Sequence, residues 1–285
     1  MKEELYYKVH DRNFGVYNRK EQEKLLSSKI AIIGQGCVGE LCSIISVRLG
    51  IGHTTIVDYD NLDISNMNRN VTARYSHLGR SKVENMLEFL RDANPTVQIN
   101  GVNKKLDECN AEEIIRDHDI VLQAMDNMES RIILHRAAYR LNIPCITMSG
   151  APPFRSIMTT VLPDGVEYET LFDLPSKGQI IENNEELKKN ISLLKTERAR
   201  YSVQHGADPE WAEGYISGTR RVWSVTPSRA YICATLCVHE AVNFLTGRAL
   251  LAPAPKIIEI NLDNPINLVQ VKEPGSSGTW DSRKY

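Results

Sequence analysis

The sequence predicts an α/β chain built on a doubly wound, mainly parallel sheet, with a crossover or insertion segment and further strands toward its C-terminal end. Three observations carry that prediction. An apolar pentapeptide, Lys29-Ile30-Ala31-Ile32-Ile33, runs directly into a glycine-rich turn, Gly34-Gln35-Gly36-Cys37-Val38-Gly39. A second short apolar run, Thr54–Val57, ends on Asp58, about twenty positions further on. Short aliphatic runs then alternate with amphipathic segments as far as Met148, the pattern of strands joined by helical crossovers.

Residues 1–28 read as a helical segment carrying Arg12. The strand Ile30–Ile33 and its turn form a Rossmann-like phosphate-binding unit. Glycines let the backbone turn tightly and approach a phosphate, and the next helix, over about 38–49, offers its N-terminal N–H groups to the anion. Gly50-Ile51-Gly52 stops that helix before strand Thr54–Val57, and Asp58 stands where an acidic residue grips ribose hydroxyls. Gly79-Arg80-Ser81-Lys82 opens a helix over 83–90, closed by Asn94-Pro95 and followed by a strand over 97–102. A short helix over 111–116, a strand over 120–124, a helix over 126–141 and a strand over 144–148 follow within a core of residues 29–164. Right-handed crossovers put the ligand crevice at the carboxyl ends of the strands, and Gly34, Asp58 and Asp126 all fall just past such ends.

Residues 165–222 are charged and poor in aliphatic strands, and read as a long crossover lying over the crevice, with a helix over 184–201 and an aromatic pair, Trp211 and Tyr215. In residues 223–273, a buried helix over 228–247 and strands over 256–260 and 267–271 complete the domain; residues 274–285 read as a disordered tail.

Composition narrows the function classes. The chain has 285 residues, enough for one large α/β domain with an insertion. Its 34 basic and 36 acidic side chains give a formal charge of −2, so no global field draws it to nucleic acid or membrane. No run reaches the roughly 18 apolar residues of a membrane span, and the first residues lack the apolar core of a secretion signal. Six cysteines in a chain of this length do not make a disulfide framework; the expected setting is a reducing cytoplasm.

The run Asp58-Tyr59-Asp60-Asn61-Leu62-Asp63-Ile64-Ser65-Asn66-Met67-Asn68-Arg69-Asn70 is polar and amide-rich beyond anything a hydride-transfer site requires. A carboxylate attacking the α-phosphorus of a triphosphate needs several cations, because charge builds on the departing pyrophosphate. Arg69 and Lys82, thirteen residues apart, can supply them beside the glycine turn, and Asn66 can orient phosphate or sugar. Asp126 can help hold Mg2+, or serve as a helix N-cap.

The combination Gly34-x-Gly36-x-x-Gly39, Asp58-x-Asp60, Ser65-Asn66-x-x-Arg69, Lys82 and Asp126-Asn127-x-x-x-Arg131 resembles the ThiF/MoeB/HesA family, bacterial relatives of ubiquitin-activating enzymes. The likeness is close over about residues 12–150 and loose beyond. It implies a Rossmann-type adenylyltransferase, usually a homodimer, that converts a carboxylate and ATP with Mg2+ to an acyl-adenylate and pyrophosphate. It implies nucleotide contacts from Gly34, Gly36, Cys37, Gly39, Asp58, Asp60, Ser65, Asn66, Arg69, Lys82, Asp126 and Asn127. Catalytic roles fall to Arg69, Lys82 and Asp126, with the metal carried by Asp126. Arg12 matches either the family's arginine that reaches the partner subunit's triphosphate or a plain surface arginine.

There are departures. The paired Cys-x-x-Cys motifs that hold structural zinc in many members are missing, and Cys233 and Cys237 read as core thiols. Cys37 replaces the second of two adjacent glycines. No cysteine lies between Gly165 and Arg221, so adenylation without an enzyme-bound thioester is expected. Three acceptor readings stand: the C-terminal carboxylate of a ubiquitin-like or sulfur-carrier protein; a peptide or transfer-RNA-borne threonylcarbamoyl carboxylate; or none, in a NAD- or FAD-binding protein or inactive scaffold. His77, His118, His135 and His239 show no metal-like pairing, and the basic runs Arg198–Tyr201 and Thr219–Arg221 read as solvated loop faces.

Overall fold

The computed structural model describes residues 2–220 and 222–284, with Lys2 described by its backbone alone. Met1, Arg221 and Tyr285 lie outside the described residues, and with them the reading of Arg221 as part of a solvated face. Helices α1 (Lys2–Val9) and α2 (Arg19–Ser27) precede β1 (Lys29–Ile33) and α3 (Cys37–Leu49). Then come β2 (His53–Val57), α4 (Lys82–Ala93), β3 (Gln98–Val102), α5 (Ala111–Ile115), β4 (Ile120–Gln123), α6 (Met128–Arg140) and β5 (Cys145–Ala151). The second half holds β6 (Arg155–Val161), α7 (Tyr168–Leu171), α8 (Glu185–Val203), α9 (Pro209–Ile216), α10 (Pro227–Thr246), β7 (Ile257–Asn261) and β8 (Val269–Lys272).

The eight strands form one sheet in the order β3-β2-β1-β4-β5-β6-β7-β8. The first five pair in parallel, as the doubly wound reading requires, and β6, β7 and β8 extend the sheet antiparallel. The order reverses at β1, so the loops after β1 and β4 part there and leave a crevice at the carboxyl edge.

Alternation along β1 serves both faces of the sheet. Ile30 and Ile32 enter a cluster with α10 and Cys42 of α3, while Ala31 and Ile33 enter another with Leu134, Ala137 and Ala138 of α6. Cys233 and Cys237 lie in the first of these clusters, 3% and 0% exposed. Helix α3 stops where Gly50 adopts φ +86° and carries its N–H back to the last turn. No helix among the described residues is long and apolar enough to cross a membrane.

Three features differ from the sequence reading. Strand β6 has no aliphatic run long enough to stand out, because Arg155, Ser156, Thr159 and Thr160 occupy four of its seven positions; it forms by returning along the full length of β5. The residue 165–222 segment is largely helical and packs on the main domain, with Phe172, Ile181, Leu187, Ile191 and Leu194 in one cluster with Trp280, Met128 and Ile132 of α6, Ile157 and Val161 of β6 and Ile257 of β7. Trp280 also overturns the disordered-tail reading for its part of residues 274–285. It is 7% exposed, its backbone N–H donates to Leu171 O at 2.7 Å, and its indole donates to Pro255 O at 2.8 Å.

Candidate active site

A cleft of about 440 Å³ opens at the carboxyl ends of β1, β2, β4 and β5. The turn after β1 forms its floor. Gly34, at φ +98°, donates its N–H to Val57 O at 2.7 Å, and a Cβ there would lie 2.8 Å from Ala124 O. Nothing lies within 4 Å of the Cβ position of Gly36, so the backbone at the start of α3 is open to a ligand. Gly39 plays a different part, since it does not border the cleft and a Cβ would meet Gly34 O at 1.7 Å. It lets α3 sit against the turn.

Eleven of the residues expected at a nucleotide border this cleft: Gly34, Gly36, Cys37, Asp58, Asp60, Ser65, Asn66, Arg69, Lys82, Asp126 and Asn127. Asp58 is fixed by two backbone donors, Gln35 N–H to Oδ2 at 2.5 Å and Asp60 N–H to Oδ1 at 2.8 Å. A carboxylate has about four acceptor positions, so capacity for ribose hydroxyls remains. Lys82, 10% exposed in its side chain, rests on Asp60 Oδ2 at 2.8 Å. Asn66 closes a capping box with Asp63 over the single turn Ile64–Asn66, which leaves its amide N–H groups for a ligand. Arg69 is held by Ser65 O and, at 2.7 Å, by Asn68 Oδ1.

A buried polar brace holds the Arg69 loop. Glu40, 1% exposed, accepts the Thr72 N–H; Asn85 donates to Thr72 Oγ1 at 2.7 Å, and Tyr231 OH donates to Arg69 O at 2.8 Å. Burial pushes the Glu40 carboxyl up, opposed by its bonds from Thr72. Asn127 supplies the N-cap of α6, accepting Ser130 N–H at 2.9 Å. Asp126 therefore has no capping duty; its side chain is 89% exposed and reaches Lys195 Nζ at 4.0 Å.

Arg12 is not brought here. It is exposed on the single turn Asp11–Asn13, away from the cleft lining. Conversely, the cleft gains Lys104, Lys105, Lys195, Arg198 and Arg229, which the motif reading passed over. Arg198 corrects the solvated-face reading: it is 5% exposed, whereas Arg200 and Arg220 do lie on the surface. The signal was periodicity, since Leu187, Ile191, Leu194, Arg198 and Ser202 share one buried stripe of α8. In total the lining draws on eight basic and three acidic residues.

Five of the six cysteines are buried, and only Cys109 is exposed, outside the cleft lining. Burial pushes the Cys37 thiol up to about 12, and raises Cys42 and Cys145 as well. Among the described residues no group of three or more His, Cys, Asp or Glu could hold a metal by itself.

A glycine turn on a parallel sheet, a fixed acid at the next strand end and a cation-rich cleft between them define a Rossmann-like α/β protein with a site suited to a polyanion. Within that class the chain belongs to the ThiF family, whose pattern matches residues 10–276. It is 31% identical over 160 residues to the SAMP-activating enzyme E1 of Haloferax volcanii, covering 56% of this chain and 59% of that one. It is 38% identical over 126 residues to the molybdopterin-synthase adenylyltransferase of Haemophilus influenzae, covering 44% and 52%. The matches thus span little more than half the length of those relatives. The fold is shared with E. coli MccB solved with ATP (TM-score 0.69, 18% identity, 93% of this chain and 70% of that one). It is shared too with PaaA (TM-score 0.64, 20% identity, 95% and 72%).

Proposed function

We propose that this protein adenylates a carboxylate with ATP, and that its acceptor is the C-terminal carboxylate of a ubiquitin-like or sulfur-carrier protein. The observation that carries the reading is the convergence of the open Gly36 turn, Asp58, Arg69, Lys82 and Asp126 on one cleft edge. A dinucleotide site does not require Arg69 and Lys82 together. The acceptor class is supported by relatives named as an activating enzyme E1 and as molybdopterin-synthase adenylyltransferases.

In this reading the turn and the N-terminal N–H groups of α3 face the phosphates, and Asp58 takes the ribose hydroxyls. Arg69 and Lys82 offset the charge that grows on pyrophosphate as the acceptor oxygen bonds to the α-phosphorus and the α–β anhydride breaks. Lys82 is pre-positioned by Asp60, and Arg69 by its loop. The residues fit Mg2+ bound through the nucleotide: Asp126 is exposed and uncapped, and the metal would neutralise phosphate charge there. With no exposed thiol at the cleft, the adenylate passes to an external nucleophile. Arg12, exposed on the N-terminal segment, is the residue through which a second copy of the chain would complete the site.

ATP–pyrophosphate exchange tests this, run with a carrier protein ending in glycine, a peptide acid and threonylcarbamoyl transfer RNA. Exchange dependent on the carrier and lost in Arg69→Ala is the expected result. Exchange driven by either other acceptor would reassign the substrate, and tight NAD or FAD binding without exchange would overturn the activity.

A further inference from the structure

We propose that Arg198 and Arg229 form a carboxylate subsite on the β5, α8 and α10 side of the cleft that also holds Arg69 and Lys82, and that it takes the free terminal carboxylate of the acceptor. The identity of the acceptor rests on the adenylation reading; the charge of what binds does not.

Arg198 and Arg229 are 5% and 3% exposed as whole residues, and both border the cleft. Their partners are neutral. Arg198 donates to Ser282 O at 2.8 Å and Ser149 Oγ at 3.2 Å, with Met128 Sδ at 3.8 Å. Arg229 donates to Ser224 O at 3.0 Å and Arg155 O at 3.3 Å. Among the described residues neither has a carboxylate within 4.0 Å. Two half-buried arginines elsewhere are paired with carboxylates, Arg136 with Glu169 at 2.7 Å and Arg155 with Glu259 at 2.6 Å. A buried cation without a counter-charge is costly, and the usual resolution is an anion. Among the described residues that anion is absent, and both groups border the cleft. Burial brings both guanidinium groups down to about 10, opposed by Tyr168 at Arg198 and by Cys233 and Cys37 at Arg229.

The two groups share one anchor. Arg198 bonds the Ser149 hydroxyl, and the Arg229 guanidinium packs on the next residue, its Cζ 3.2 Å from where a Gly150 Cβ would stand. Trp223 closes this end by donating its indole N–H to Gly150 O at 3.1 Å. A guanidinium has five donors in a planar fork that matches a carboxylate, and each group here leaves donors unused. Arg69 and Lys82 come from the β2–α4 side, whereas Ser149, Arg198 and Arg229 come from β5, α8 and α10. Arg229 borders the cleft together with Cys37 of the glycine turn, whose thiol lies within reach of the charges of both Arg69 and Arg229. A carboxylate on this wall is therefore delivered beside the phosphate-binding turn without competing for the phosphate cations.

The test uses the full chain and two probes, the dipeptide Gly-Gly and its C-terminal amide, titrated calorimetrically with and without saturating Mg-AMPCPP, an ATP analogue. Arg198→Gln and Arg229→Lys are compared with the unsubstituted protein, with melting curves to confirm folding; Arg229→Lys keeps the charge and guards against a misfolded Arg198 variant. The expected result is binding of the carboxylate form over the amide, with the preference reduced at least about tenfold by either substitution. Affinity for AMPCPP should stay within about twofold. Equal binding of acid and amide, no binding of either, or an unchanged preference in folded variants would overturn the subsite. So would a tenfold or greater loss of AMPCPP affinity in the variants, which would move these arginines to the phosphates. If the unsubstituted protein binds no AMPCPP, the adenylation reading fails instead, and the dipeptide arm still decides the subsite.

Discussion

The two walls of the cleft are built in opposite ways. On the β1–β2 side the functional groups follow one another closely in sequence, sit just past strand ends, and are already held by partners: Asp58 by two backbone N–H groups, Lys82 by Asp60, Arg69 by Ser65 and Asn68. On the β5 side the groups come from positions 149, 198, 223 and 229, and the charges of Arg198 and Arg229 are buried with no carboxylate partner among the described residues. The first wall is preorganised before any ligand arrives, and in the proposed function it receives the phosphates of ATP. The second is held together by the crossover and the C-terminal segment, and in the proposed subsite its charge is met by the acceptor's carboxylate.

Breaking the first wall should give the largest effect. Arg69→Ala or Lys82→Ala should lower the exchange rate by roughly 100- to 1000-fold, as for loss of one preorganised donor to developing charge, with little change in melting temperature. A folded variant that retains exchange would mean the β2–α4 cations do not face the reacting phosphates. Breaking the support of the second wall comes next. Trp280→Ala empties a site in the crossover core and should cost about 3 kcal/mol in denaturant unfolding. It should also raise the KM for the acceptor more than that for ATP, because Ser282 O, two residues on, holds Arg198.

Gly39→Ala sharpens the comparison from the other side. Its Cβ would collide with Gly34 O, so a loss of about 1–3 kcal/mol is expected, with nucleotide affinity reduced ahead of acceptor affinity. Behind the crossover, His135 stacks on Tyr168 at 3.9 Å and is held neutral by burial, with its pKa lowered from 6.5 to about 3. The unfolded chain therefore binds a proton that the folded one refuses. Stability is full above the unfolded value and falls as pH drops from 6.5 toward 3, by up to about 1.4 kcal/mol per unit from this group. His135→Gln should flatten that slope in melts between about pH 5 and pH 7. The smallest effect belongs to Cys109→Ser: exchange and transfer should be unchanged, and loss of transfer would point to a covalent relay.

The same contrast explains what the sequence disclosed. Phosphate-side residues are legible because a strand, a turn and a fixed interval place them locally, and the sheet then brings those intervals to one edge. Arg198 and Trp280 are not legible in that way. Arg198 follows a charged stretch, Leu194-Lys195-Thr196-Glu197, that hides its place on the apolar stripe of α8. Trp280 follows Gly-Ser-Ser-Gly-Thr, which signals disorder, and is fixed only by the tertiary pocket it fills. Strand β6 belongs with them, since it is defined by its partner β5 rather than by its own polarity pattern.

In the proposed function both walls serve one reaction, the transfer of an adenylyl group from ATP to a carboxylate. Its most direct test is the intact mass of a glycine-ended carrier protein after incubation with this chain, ATP, Mg2+ and pyrophosphatase. Adenylation gives a carrier heavier by one adenylyl group (AMP less water) with no covalent adduct on the enzyme, and a carrier of unchanged mass with Arg69→Ala. A carrier of unchanged mass, or an acyl group found on one of the enzyme's cysteines, would contradict it.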